Sequence, residues 1–167
     1  MTEIEWTCST SAPDMLARLH QTQPEFFASQ VRNLHRFLIA CCWKHQDLIP
    51  QEGLRNGLAG AEKWLDGTIG NQELDRLDWH AEAVAFGLDY AETPDELSEI
   101  KVLVDSIEQL RGLSFDEARS LLLDAAYFAQ GSIIYPRVRP LPWHEALFTS
   151  RFLCPDLLRR HVRPDFG

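Results

Sequence analysis

The chain has 167 residues, 45% of them hydrophobic, and a net charge of −9. That length fits a single domain burying about 70% of its unfolded surface, which excludes both a disordered tail and a mini-protein that needs disulfides or metal to fold. The acidic balance argues against nucleic acid as a partner, because binding there rests on neutralising phosphates.

Residues 1–12 read as a loose lead. Met1–Trp6 carries two glutamates and no apolar run follows, so no signal peptide is expected. Cys8, Cys41, Cys42 and Cys154 are then expected as free thiols in a reducing cytoplasm. The longest apolar run, Phe37–Trp43, falls far short of the ~20 residues that span a bilayer, so no membrane partner is expected. A short helix is predicted over Pro13 to His20, with Ser11 or Ala12 before it.

Pro24 suits the first turn of the next helix, predicted to run to about Ile49. Its stripe of Phe27, Val31, Leu34, Leu38, Cys41, His45 and Leu48 steps by fours and threes. Such spacing puts the side chains on one face, so this reads as a buried central helix. Residues 51–66 follow, with Leu54, Leu58, Ala61 and Leu65 at helical spacing and Gly53, Gly57 and Gly60 among them. The glycines suggest a face pressed against another helix, or else a weak helix. Gly67 ends the segment as a C′ residue does.

Residues 71–91 begin with Asn71, read as an N-cap, and carry a stripe of Leu74, Leu77, Ala81, Val84, Ala85 and Leu88. Thr93-Pro94-Asp95-Glu96 is a capping box with proline at N1, opening a helix predicted to stop at Gly112. Ser114-Phe115-Asp116-Glu117 is a second box, opening a helix predicted to close at Gly131. Beyond it, Pro136, Pro140, Pro142, Pro155 and Pro164 break up regular structure. Ile133-Ile134-Tyr135 is the only β-like run, and short helices fit within Leu141–Ser150 and Asp156–His161. The expected fold is all-α: a single-domain bundle of about five main helices (body 13–131) with a Pro/Arg-rich irregular arm (132–167) packed on it.

Charge is distributed unevenly. Residues 62–124 hold 16 acidic residues against Lys63, Arg76, Lys101, Arg111 and Arg119. Residues 137–163 hold Arg137, Arg139, Arg151, Arg159, Arg160 and Arg163 against Glu145 and Asp156. A basic arm docked on an acidic body explains this; an anion-binding tail is the alternative.

Three constellations bear chemistry. Cys41, Cys42 and His45 sit within one turn. They can pack as core, bind a metal, or act as redox thiols; zinc needs further ligands, and no CxxC or HxxxH occurs. Asp75, Asp78 and Glu82 share a helical face opposite the leucine stripe, which reads as a solvated acidic face rather than an acid–base pair. Arg137, Arg139, Trp143 and His144 can hold an anionic ligand, or clamp the arm to the body. There is no GxSxG, GxGxxG, GxxxxGK[ST] or HExxH.

The opening Met1-Thr2-Glu3-Ile4-Glu5-Trp6, with Cys8 and Pro13-Asp14-Met15-Leu16, resembles a set of uncharacterised bacterial proteins abundant in planctomycetes. The likeness continues through Ala40-Cys41-Cys42 and Ala61-Glu62-Lys63-Trp64-Leu65-Asp66-Gly67, and weakly at Asp156-Leu157-Leu158-Arg159-Arg160. It covers mainly residues 1–67. The resemblance brings no activity; it implies that Trp6, Cys41, Cys42 and the Asp66-Gly67 turn are framework. The leading expectation is a non-enzymatic module that binds a protein partner or itself, with no cofactor. The rival is a small metal- or thiol-dependent enzyme using Cys41, Cys42 and His45.

Overall fold

Every long apolar stripe in this sequence has helical spacing, and the structure follows it. The structure, a computed structural model, describes residues 1–137 and 143–166. Within them lie ten α-helices: α1 Glu3–Cys8, α2 Ala12–Thr22, α3 Pro24–Ser29, α4 Val31–Lys44, α5 Glu52–Leu65, α6 Asn71–Asp89, α7 Pro94–Ser106, α8 Phe115–Ile134, α9 Glu145–Phe148 and α10 Pro155–His161. No strand occurs among the described residues.

The lead is helical rather than loose. Thr2 and Glu5 form a capping box: the Thr2 hydroxyl accepts from Glu5 N–H and the Glu5 carboxylate accepts from Thr2 N–H. Trp6 is buried, and Arg159 of α10 donates to its carbonyl at 3.0 Å. The long helix expected from Pro24 to Ile49 is broken at Gln30, whose ψ is 11°. Ser29 Oγ donates to the Phe26 carbonyl at 2.6 Å, a local bond that competes with the helical ladder. α4 stops at His45, and Leu48 completes the stripe from a 3-10 turn. Arg55 of α5 satisfies the carbonyls left there, donating to Ile49 at 2.7 Å and Gln46 at 3.0 Å.

α5, α6 and α8 pack together, with α4 against α5, α8 and α10. The glycine face of α5 is the reason for the close approach. A Cβ on Gly57 would collide with Ile133 of α8, and one on Gly60 with Leu77 of α6. Gly67 has φ +75°, and Thr68 N–H donates to the Lys63 carbonyl at 2.8 Å, so a Schellman turn ends α5. Asn71 is not the cap of α6. Gly70 holds that place, and Asn71 Oδ1 accepts from the Trp64 indole at 2.8 Å. Arg119 of α8 caps the far end of α6, donating to the carbonyls of Leu88 and Ala91 at 2.9 Å.

Two helix ends differ from expectation. α7 stops at Ser106, six residues before Gly112, because Ser106 Oγ bonds back to the Leu103 carbonyl; Leu110 is buried from a following 3-10 turn. α8 runs through Gly131 to Ile134, so the β-like run is mostly helix and the body extends past residue 131. Gly131 serves contact rather than termination: a Cβ there would lie 2.8 Å from Leu147 of α9. The arm then lies on the body through Phe148, Phe152, Leu158 and Val162, all buried.

Candidate functional site

The thiols of α4 are divided between two environments. Cys42 points into the bundle toward Ser132 of α8, and burial pushes its thiol far above the ordinary range. Cys41, also buried, faces the backbone N–H of Cys154, and burial pushes it up to about 12. His45 caps α4 half-buried, its ring edge on Phe152 at 5.3 Å, and burial and Lys44 lower its pKa. Sequence spacing places the three in one turn, but the fold sends them to three different neighbours. Among the described residues no group of three or more His, Cys, Asp or Glu is placed to hold a metal.

Lys44 and Cys154 complete this corner, 110 residues apart in sequence. Lys44 Nζ donates to Cys154 Sγ at 3.0 Å. Burial raises the Cys154 thiol, but the Lys44 ammonium and the N–H groups of Leu157 and Asp156 outweigh it, leaving the pKa below the ordinary value. Deeper in the bundle, His35 is fully buried against Trp64 and Tyr135, with neither ring nitrogen hydrogen-bonded. Burial lowers its pKa to about 4, although the carbonyls of Ser132 and Ile133 favour the charged form.

Two of the arm residues proposed for an anion, Arg137 and Trp143, are engaged with the protein. Arg137 pairs with Asp75 at 2.6 Å and donates to the Asn71 carbonyl at 3.1 Å. Trp143 stacks on His20 at 4.9 Å and packs on Phe148 at 5.3 Å, inside an aromatic cluster with Phe27. His144 has Nδ1 buried and unbonded. Arg139 lies outside the described residues. Arg151 pairs with Asp124, and Arg159 with Asp156 at 2.9 Å. Arg137 and Arg151 thus tie arm to body.

The least expected surface is the outer face of α6. Trp79, Phe86 and Tyr90 are 66%, 42% and 70% exposed. Their steps, with exposed Ala83 between, are four, three and four, so they line one side of the helix. The small and medium residues Leu74, Ala81, Ala85 and Leu88 are buried on the opposite side. Phe86 is the centre of an aromatic group, 5.8 Å from Tyr90 and 6.4 Å from Tyr127. Carboxylates border it. Tyr127 OH donates to Asp89 at 2.6 Å; burial, that bond, and the charges of Asp89 and Glu82 push the phenol up to about 12. Asp78 is half-buried and bonded by Gln130 at 2.9 Å; burial, with Glu82 and Asp75 nearby, raises it. The acidic face is therefore not uniformly solvated. Arg76, the neighbouring cation, is matched by Glu73 at 2.6 Å.

No protein family, curated protein or solved structure matches the chain. Among the described residues, no helix is long and apolar enough to cross a membrane.

Proposed function

We propose that the protein is a non-enzymatic docking module whose outer α6 face binds a basic, apolar-bearing segment of a partner protein. The observation that carries this is the row of Trp79, Phe86 and Tyr90, exposed along one side of a helix whose other side already serves the core. Singly exposed apolar residues, such as Ile4 and Val102, need no explanation. Aromatics set along one line, with Phe86 edge-on to Tyr90 and Tyr127, offer amphipathic anchor area of the kind that dominates binding energy.

Charge chooses the occupant. Glu82 and Asp89 flank the aromatic row, within a region rich in carboxylates. A second copy meeting face to face would set these carboxylates against their own kind, on chains of net charge −9. Lysine or arginine side chains complement the carboxylates and also rest on aromatic faces. The occupant is therefore a Lys/Arg-bearing segment with apolar anchors.

The test is fluorescence anisotropy with a labelled amphipathic Lys/Leu peptide and its Glu/Leu counterpart. The basic peptide binds, the acidic one does not, and added salt weakens binding. The double variant Trp79→Ala/Phe86→Ala, with an unchanged circular dichroism spectrum, loses affinity by about tenfold or more. Equal binding of both peptides, or full binding by the double variant, refutes the reading. So does sedimentation showing a dimer that the double variant dissolves.

A further inference from the structure

The corner where α4 meets α10 holds three groups that docking does not use: Cys41, Lys44 and Cys154. Lys44 is exposed and folds its ammonium onto the Cys154 sulfur at 3.0 Å. Cys154 is buried, with 6% of its surface exposed. A thiol in contact with an ammonium carries more of its reactive thiolate form than a free cysteine does. Of the four cysteines, Cys8 is exposed, and Cys41 and Cys42 are fully buried. Only Cys154 has a cation in contact with its sulfur, and it keeps a small exposed fraction that Cys41 and Cys42 lack.

Its neighbour supplies a second step. The Cys41 sulfur faces the backbone N–H of Cys154, so the two residues are in direct contact across the α4–α10 seam. A disulfide forms between cysteines whose Cα atoms lie roughly 4.4–6.8 Å apart.

We propose that Cys154, held by Lys44, is a peroxide-reactive thiol and that Cys41 closes the resulting sulfenic acid into a Cys41–Cys154 disulfide. In the first step the Cys154 thiolate attacks one oxygen of a hydroperoxide. An S–O bond forms, the O–O bond breaks, and the departing hydroxide or alkoxide takes up a proton. Cys154 is oxidised by two electrons and the peroxide reduced by two. In the second step the Cys41 sulfur attacks Cys154. The S–S bond forms, the S–O bond breaks, and the oxygen leaves as water with the Cys41 proton. Lys44 positions the thiolate and forms no bond. The product joins the C-terminal segment to α4 covalently.

The experiment treats the native full-length protein with equimolar hydrogen peroxide, followed by alkylation and peptide mapping by mass spectrometry. The expected product has lost two hydrogens, recovered in a linked pair of peptides containing Cys41 and Cys154, with Cys8 still free to alkylate. Lys44→Met keeps the aliphatic stem and removes the charge, so it slows Cys154 oxidation severalfold; Lys44→Arg restores most of the rate. In Cys41→Ser the reaction stops at a Cys154 sulfenic acid that dimedone traps. Oxidation of Cys8 ahead of Cys154 overturns the proposal. So does an unchanged rate in Lys44→Met, or a product in which Cys154 is oxidised and Cys41 remains a free thiol.

Discussion

α6 and α8 lie side by side with nearly equal lengths, 19 and 20 residues, yet only α6 leaves large aromatic residues exposed. α8 turns Leu122, Phe128 and Ile133 inward, and all three are buried. α6 turns Leu74, Ala81, Ala85 and Leu88 inward and leaves Trp79, Phe86 and Tyr90 outside. The glycine face of α5 receives Val84 and Leu77 of α6 and Ile133 of α8, which a Cβ on α5 would push away. Packing on α5 and α8 thus accounts for the inner face of α6 but leaves its aromatic outer face without a structural purpose. That surplus is the reason to read it as a binding surface.

The contrast can be broken by mutation. Leu122→Ala removes a fully buried side chain from α8 and should cost about 2–5 kcal/mol in urea unfolding. The buried imidazole comes next. His35 is protonated below pH 6.5 when unfolded but only near pH 4 when folded, so its stabilising contribution is full above 6.5 and falls as pH drops from 6.5 to 4. The loss approaches about 3 kcal/mol, and His35→Phe should flatten that part of a stability–pH curve relative to the native chain. Gly57→Ala pushes a methyl into buried Ile133 and should cost about 1–3 kcal/mol, whereas Gly60→Ala meets half-buried Leu77, which has room to swing aside, and should cost less. Trp79→Ala should stay within about 0.5 kcal/mol, since nothing in the core depends on it. A large loss at Trp79 would mean that the outer face of α6 is structural after all.

Much of the architecture is legible in the sequence because local grammar and burial agree. The boxes at Thr93 and Ser114 open helices where their spacing says, and the Asp66-Gly67 turn closes α5. The same grammar stands at Thr2 and Glu5, where the absence of a long apolar stripe hides a six-residue helix. Periodicity alone carries a helix across Gln30, because the stripe continues while serine back-bonding breaks the ladder. Gly131 shows the converse error: a glycine needed for contact with Leu147 looks like a stop.

The sites were less legible. The row at 79, 83, 86 and 90 is present in the sequence, but the leucine stripe on the other side of the same helix masks it. The Lys44–Cys154 contact spans 110 residues and no local pattern announces it. Cys41, Cys42 and His45 look like a cluster in sequence, yet adjacent helical residues point about 100° apart and α4 ends before His45, so each meets a different neighbour. Arg137 and Trp143 are correctly placed near the body, but Asp75 and His20 occupy them.

The most direct test of the docking surface is an amide NMR titration of the protein with the Lys/Leu peptide. Shift changes centred on residues 79–92 and Tyr127, with α2 and α10 silent, are the predicted result. Changes centred on the arm, or none at saturating peptide, would contradict it.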